Sequence, residues 1–254
     1  MMKSIKVVKI GGKVAEDENS LDKFLKDFAA IDGAKILVHG GGVVASKIGE
    51  KLGIETTMIE GRRVTDKPTL QVATMVYGGL INKKIVAKSQ ALGINAAGFT
   101  GADMNLIQSK KRNPEPIDFG WVGDIKYVNL KGLKSLLDQD ITPVLAPLTH
   151  DGKGNLLNTN ADAIASKVAQ ELAKEFEIEL NLCFDMPGVM NGDKLITEMN
   201  LLLFRYLQGN GVIKDGMIPK LDLGFEALQN GVKKVNVQSY KSLNESGSGT
   251  RLSK

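Results

Sequence analysis

Two periods of apolar residues run through this chain: short β-branched runs bounded by glycine, and longer stretches in which apolar positions recur every three or four residues. The first run, Ser4-Ile-Lys-Val-Val-Lys-Ile-Gly-Gly12, predicts a buried strand followed by a tight glycine turn. Leu21, Phe24, Leu25 and Phe28 then follow Ser20 at helical spacing, with Ser20 as cap and Gly33 as stop. The same alternation returns in Lys35-Ile-Leu-Val-His39, the Gly40-Gly-Gly42 turn and a helix through Val44, Ile48 and Leu52 closed by Gly53. A short β-branched piece, Thr56–Ile59, precedes Gly61-Arg-Arg-Val-Thr-Asp66, and Pro68 opens a long helical pattern reaching Leu92.

Further strands are predicted at Ile94–Phe99, Asn105–Gln108, Trp121–Val128, Ile141–Ala146, Ile178–Phe184 and Val232–Gln238. Pro143 puts its strand near a sheet edge or at a strand start. His150-Asp-Gly-Lys-Gly154 marks a hairpin turn, and Asn158-Thr-Asn-Ala-Asp162 leads into a helix to about Phe176. Helices are also expected at Leu130–Leu137, Met199–Leu207 and Asp215–Gln229, with a Ser/Gly-rich tail at the end. Repeated strand-helix-strand order implies an α/β fold with a mainly parallel, helix-covered sheet. The 254 residues allow one large domain or two small lobes. No linker marks a boundary, and the Asn158–Phe176 helix is the candidate hinge.

Composition narrows the partners. The net charge is +4, the pI is near 8.9 and the longest basic block is Lys110-Lys-Arg112, which favours small anionic ligands over nucleic acid. A single cysteine, Cys183, excludes a disulfide within one chain and suits the cytoplasm. Met1-Met-Lys3 runs straight into the first strand, so neither signal peptide nor membrane span is expected.

Lys9 just before Gly11-Gly12 makes an anion site of ammonium and backbone N–H groups, most plausibly for phosphate. Gly40-Gly-Gly-Val-Val-Ala45 formally fits a dinucleotide-binding turn, with Glu60 near the spacing of a ribose ligand, but the equally glycine-rich turn with a lysine ahead of it argues against nicotinamide. His39 reads as a hydrogen-bonded structural histidine rather than a base. Arg63 is either solvated or a planar fork for a substrate carboxylate. Asn158, Asn160 and Asp162 fit turn and cap positions, and Lys220, behind Pro219, fits a first helical turn.

Taken together, Val8-Lys9-Ile-Gly-Gly12, Val38-His-Gly-Gly-Gly42, Gly61-Arg-Arg-Val-Thr65, Gly98-Phe-Thr-Gly-Ala-Asp103, Trp121-Val-Gly-Asp124, Pro143-Val-Leu-Ala-Pro147, Asn158-Thr-Asn-Ala-Asp162 and Asp215-Gly-Met-Ile-Pro-Lys220 resemble, in order, the motifs of the acetylglutamate kinases, a branch of the amino acid kinase family. The resemblance implies an αβα sandwich forming a single domain over 1–254, with an acyl-glutamate lobe over about 1–175 and an ATP lobe over 176–254. It implies Lys9 and Lys220 as phosphate-clamping lysines, Asp162 as the carboxylate holding both, and Gly11 and Gly12 at the ATP phosphates. Gly41 and Gly42 would meet the acyl-glutamate and the transferring phosphoryl group, and Arg63 and Asn158 would hold the substrate α-carboxylate. ATP with Mg²⁺ is the implied co-substrate, and no protein metal ligand is assigned. Phe184 departs from the pattern, standing where a Thr or Ser precedes Asp-Val-Pro-Gly-Val.

The chemistry fits this inventory. A γ-carboxylate with a pKa of roughly 4.3 is already ionised at neutral pH and needs no base, only relief from repulsion by the triphosphate. Two other readings stay open: a non-catalytic nucleotide or amino-acid sensor on the same fold, and N-succinyl- in place of N-acetyl-glutamate. Three residues ahead of the first strand leave no room for the extra helix that, in the resembled family, links dimers of arginine-inhibited enzymes into hexamers. A homodimer indifferent to arginine is expected, with the Pro68–Leu92 helix as its apolar face.

Overall fold

A computed structural model describes residues 4–59, 62–245 and 247–254. Glu60 as a ribose ligand, Gly61 at the head of the Arg-Arg-Val-Thr segment, and Met1-Met-Lys3 lie outside these residues. The centre of the molecule is an eight-stranded sheet. Its order is Glu198–Met199, Thr250–Leu252, Lys234–Ser239, Glu177–Phe184, Ser4–Ile10, Ala34–His39, Thr142–Leu145 and Ala96–Phe99. All neighbours run parallel except Thr250–Leu252 against Lys234–Ser239.

Side-chain alternation along Ser4–Ile10 decides where the chemistry sits, because successive residues of a strand point to opposite faces. Ile5 and Val7 join one core with Ile164, Val168, Leu172, Leu180, Leu182, Leu221 and Phe225. Val8 and Ile10 join the other with Leu21, Phe24, Phe28, Val72, Tyr77 and Ile85. Lys9 has the parity of Ile5 and Val7, so it emerges on the face covered by the helix Ala161–Leu172. His39 has the parity of Leu37 and faces the other layer. Each fully buried Leu, Ile or Phe contributes on the order of 1.5–3 kcal/mol, so the sheet between these cores is a firm base for the strand ends.

A second sheet, in the order Leu156–Asn158, Leu148–His150, Ile107–Lys111 and Gly123–Val128, stands over the carboxyl ends of the central strands. The expected hairpin joins Leu148–His150 to Leu156–Asn158 in antiparallel register. The long helix forms as Lys67–Ala73, a wider π-helical stretch Thr74–Ile81, and Asn82–Ala91. Asp66 caps it by accepting from the Thr69 N–H at 2.8 Å.

Two local expectations are corrected, and a third is narrowed. The first long helix is Glu18–Ala29, and its cap is Asp17, whose carboxylate accepts from the Ser20 N–H at 2.7 Å; Ser20 sits in the first turn with its hydroxyl 2.8 Å from Tyr240. Of the two places expected for Pro143, a sheet edge or a strand start, the strand start is found, since Ala96–Phe99 lies outside its strand. Pro143 is tolerated because it sits at the strand start, where pairing to Ala34–His39 begins only at Val144. Val232–Gln238 is expected to be the final strand before the Ser/Gly-rich tail, but within that tail Thr250–Leu252 forms a further sheet strand.

Candidate active site

The carboxyl ends of the parallel strands converge with the second sheet, the position at which open α/β sheets form ligand crevices. Lys9 reaches this end from the central strand. Asp162 lies in the first turn of Ala161–Leu172, and Lys220 in the first turns of Met217–Gln229. Asn160 caps the Asp162 helix, accepting from the N–H groups of Asp162 and Ala163 at 2.8 and 3.1 Å. The cap task therefore falls to Asn160 and leaves the Asp162 carboxylate free for another use.

That use is to hold two cations. Lys220 Nζ donates to Asp162 Oδ2 at 2.7 Å, and Lys9 Nζ lies 2.9 Å from Oδ1 as an ion pair outside hydrogen-bonding alignment. Lys9 and Lys220 are only 7% and 8% exposed, so water screens neither charge well. Burial alone would raise the Asp162 carboxyl, but the two ammoniums more than reverse this and hold it well below the usual carboxylate range. Lys220 is pushed down by burial and by the Lys9 charge, with Asp162 opposing. Two ammoniums against one carboxylate leave a net positive charge in a low-dielectric pocket, which is what an incoming anion needs.

Beside this triad the two glycine turns pack back to back. The Gly40 N–H donates to the Ile10 carbonyl at 2.9 Å, tying the end of the second strand to the first. A Cβ on Gly40 would lie 2.9 Å from Gly12 N, and one on Gly12 would lie 3.2 Å from Gly41 N. A Cβ on Gly41 would strike Ile81 Cδ1 at 2.6 Å and the Tyr77 ring at 2.7 Å. Only bare backbone fits here, so the N–H groups of both turns lie close together. Gly41 caps the helix Gly42–Lys51 with no side chain across that helix end, which leaves its N–H groups to an anion. Gly11 has open space around its Cβ position.

Arg63 is half-buried and anchored on the second glycine turn. Its Nη2 donates to the Gly42 carbonyl at 2.8 Å and to Ser46 Oγ at 2.7 Å, and its Nη1 to Thr56 Oγ1 at 2.8 Å. Asn158 Nδ2 donates to Thr65 Oγ1 at 3.0 Å, and the Asn158 N–H to the Trp121 carbonyl at 2.9 Å. Thr65 thus links the Arg63 segment to Asn158.

His39 is fully buried. Its Nδ1 donates to the Gly40 carbonyl at 2.9 Å, and its Nε2 lies 3.2 Å from Asn82 Nδ2, which also donates to the Val144 carbonyl at 2.9 Å. Burial outweighs the Gly40 hydrogen bond and lowers its pKa to about 4, so the ring is a neutral structural part, as the sequence suggests. A histidine neutral when folded but ordinary when unfolded stabilises fully above pH 6.5 and loses its contribution as pH falls toward 4. The span of 2.5 units corresponds to about 3 kcal/mol. Urea unfolding at pH 7.5 and pH 4.5 should show His39→Gln losing less stability on acidification than the unsubstituted protein; parallel losses would contradict the burial argument.

The structure adds neighbours that the sequence pattern does not single out. The π-helical stretch sets Tyr77 and Ile81 against Gly41, and π-helical stretches are frequent at functional sites. Gly78-Gly79, interrupting an apolar helical run, was the available signal. Asn82 beside His39 carried no signal at all.

The amino acid kinase family model matches residues 4–239. Acetylglutamate kinase of Parabacteroides distasonis is 50% identical over 99% of this chain and 100% of its own length. That of Phocaeicola vulgatus is 48% identical over 100% of both. Among solved structures, N-acetylglutamate synthase of Neisseria gonorrhoeae complexed with coenzyme A and N-acetyl-glutamate has a TM-score of 0.85 at 19% identity. It covers 99% of this chain and 59% of that one, a likeness of fold.

Proposed function

This chain belongs to the amino acid kinase family and stands among its acetylglutamate kinases, and from that premise we propose how its residues divide the work. The reaction is transfer of the γ-phosphoryl group of ATP to the γ-carboxylate of N-acetyl-L-glutamate, giving the acyl phosphate and ADP, a step of arginine biosynthesis. The observation that carries the assignment is one carboxylate, Asp162, holding Lys9 and Lys220 at 2.9 and 2.7 Å beside two interlocked glycine turns.

Both substrates are anions, and in-line transfer spreads negative charge over the equatorial oxygens. Lys9 and Lys220 offset that charge where it develops, and Asp162 keeps the two like charges side by side. Gly11 and Gly12 offer N–H groups to the ATP phosphates; Gly41 and Gly42 offer theirs to the acyl-glutamate and the group in flight. Arg63 and Asn158 hold the α-carboxylate. The nucleophile is already ionised, so a buried neutral His39 takes no part as base. In this reading Mg²⁺ would accompany the nucleotide and offset its phosphate charge.

The acyl-glutamate side is assigned to residues 1–175 and the ATP side to 176–254, two parts of one sheet that meet where Glu177–Phe184 pairs with Ser4–Ile10. Among the described residues no helix is long and apolar enough to cross a membrane. We propose a cytoplasmic homodimer that acts on small anions and binds neither membrane nor nucleic acid. On the long helix Val76, Tyr77, Ile81 and Ile85 are buried while Met75 and Leu80 are exposed, which leaves an apolar outer face for a second copy. Light scattering should give twice the chain mass, and a monomer mass would dismiss that face as an interface.

A coupled ADP-release assay with N-acetyl- and N-succinyl-glutamate tests the substrate. N-acetylglutamate should drive the faster turnover; preference for the succinyl compound would move the acyl assignment, and turnover with neither would leave a sensor. In the same assay Arg63→Lys should raise the KM for acyl-glutamate roughly tenfold with little change in kcat, since an ammonium lacks the planar fork. An unchanged KM would remove Arg63 from the substrate.

A further inference from the structure

We propose that Phe184 is a positioning residue of the phosphoryl-transfer site, its ring seating the Lys220 ammonium against Asp162; this rests on the role given to Lys220 above. Phe184 is the last residue of the strand Glu177–Phe184 and shares the parity of Leu180 and Leu182, whose register places Leu182 opposite Lys9. Its side chain therefore lies on the face of the sheet that carries Lys9 and Asp162. It is partly buried, and Lys220 Nζ sits over its ring, 5.8 Å from the centroid.

Almost everything else around Lys220 opposes its charge. Burial strips its water, and Lys9 on the adjoining strand is a like charge. Its own helix, Met217–Gln229, starts without a side-chain cap and turns its positive end toward the same region. The neighbouring Cys183 thiol is pushed up to about 12 by burial and stays neutral at neutral pH. Asp185, next along the chain, is taken by Lys13 at 3.0 Å. Among the described residues two attractive partners remain: the Asp162 carboxylate at 2.7 Å and the electron-rich face of Phe184. Asp162 is shared with Lys9, so among the described residues the ring is the one favourable contact that belongs to Lys220 alone. A hydroxyl at this position, as the resembled motif has it, would offer a point acceptor; the ring offers a face that leaves the N–H groups of Lys220 free for phosphate.

Fluorinated phenylalanines at position 184 test this without changing packing, since each fluorine withdraws density from the ring face. The ladder of 4-fluoro, 3,5-difluoro and 3,4,5-trifluoro rings should lower kcat stepwise, by roughly tenfold in all. Phe184→Leu should lose a similar factor and move the alkaline limb of the kcat profile down by about one pH unit, because the ammonium loses a partner that favours its charged form. Phe184→Tyr should keep wild-type kcat and limb, and the KM for acyl-glutamate should stay unchanged throughout. A flat fluorine series, or Phe184→Tyr falling as far as Phe184→Leu, would overturn the proposal while an active unsubstituted enzyme upheld the function. No acyl-glutamate-dependent turnover in the unsubstituted enzyme would overturn both.

Discussion

Asp162→Asn is expected to lower kcat on the order of 100- to 1000-fold with the fold retained. Asparagine keeps the shape of the carboxylate and still fits the first turn of its helix, whose cap is Asn160. What it loses is the charge that holds Lys9 at 2.9 Å and Lys220 at 2.7 Å. Two buried ammoniums then face each other without a counter-charge, and Lys220, already pushed down by burial and by Lys9, falls further toward its neutral form. The remaining activity should therefore decline at lower alkaline pH than in the unsubstituted enzyme. Near-normal turnover would reduce Asp162 to a helix-end residue.

Gly40→Ala should produce the second large loss, roughly 100-fold in kcat/KM for both substrates together. The added methyl meets Gly12 N at 2.9 Å, backbone against backbone, where no side chain can swing aside. One turn must retreat from the other, and the Gly40–Ile10 hydrogen bond that joins the two strand ends is strained with it. Because the proposed function sets one turn against ATP and the other against acyl-glutamate, neither substrate should be spared. Overpacking of this kind costs about 1–3 kcal/mol, so a fall of a few degrees in Tm should accompany the kinetic loss. A variant impaired toward only one substrate would show that the two turns act separately.

Much of the site was legible because its residues sit at the ends of strongly patterned elements. The β-branched run before Lys9 and the glycines after it fix a buried strand and a turn, and alternation alone sends Lys9 to the face where Asp162 waits. His39 reads from the sequence as a hydrogen-bonded structural histidine, and it is buried as a neutral partner of Gly40 and Asn82. Cap choice was less legible: Asp17 and Ser20 are both good caps three residues apart, and only the Tyr240 hydroxyl 2.8 Å from Ser20 shows why Ser20 serves elsewhere. The tail strand Thr250–Leu252 was invisible because three residues carry no period, and its pairing is with a strand that ends eleven positions earlier. The π-helical stretch and the Phe184–Lys220 contact arise from tertiary packing, which local propensity does not encode.

The central claim is that Lys9 and Lys220 act on the transition state rather than on substrate binding. Rapid-quench single-turnover measurement of acyl phosphate formation, with ATP and N-acetylglutamate both saturating, tests it most directly in Lys9→Ala and Lys220→Ala. Each variant is expected to transfer the phosphoryl group on the order of 100-fold more slowly or worse, with the affinity for either substrate little altered. Transfer at the unsubstituted rate once both substrates are saturating, with the whole defect in affinity, would contradict the claim.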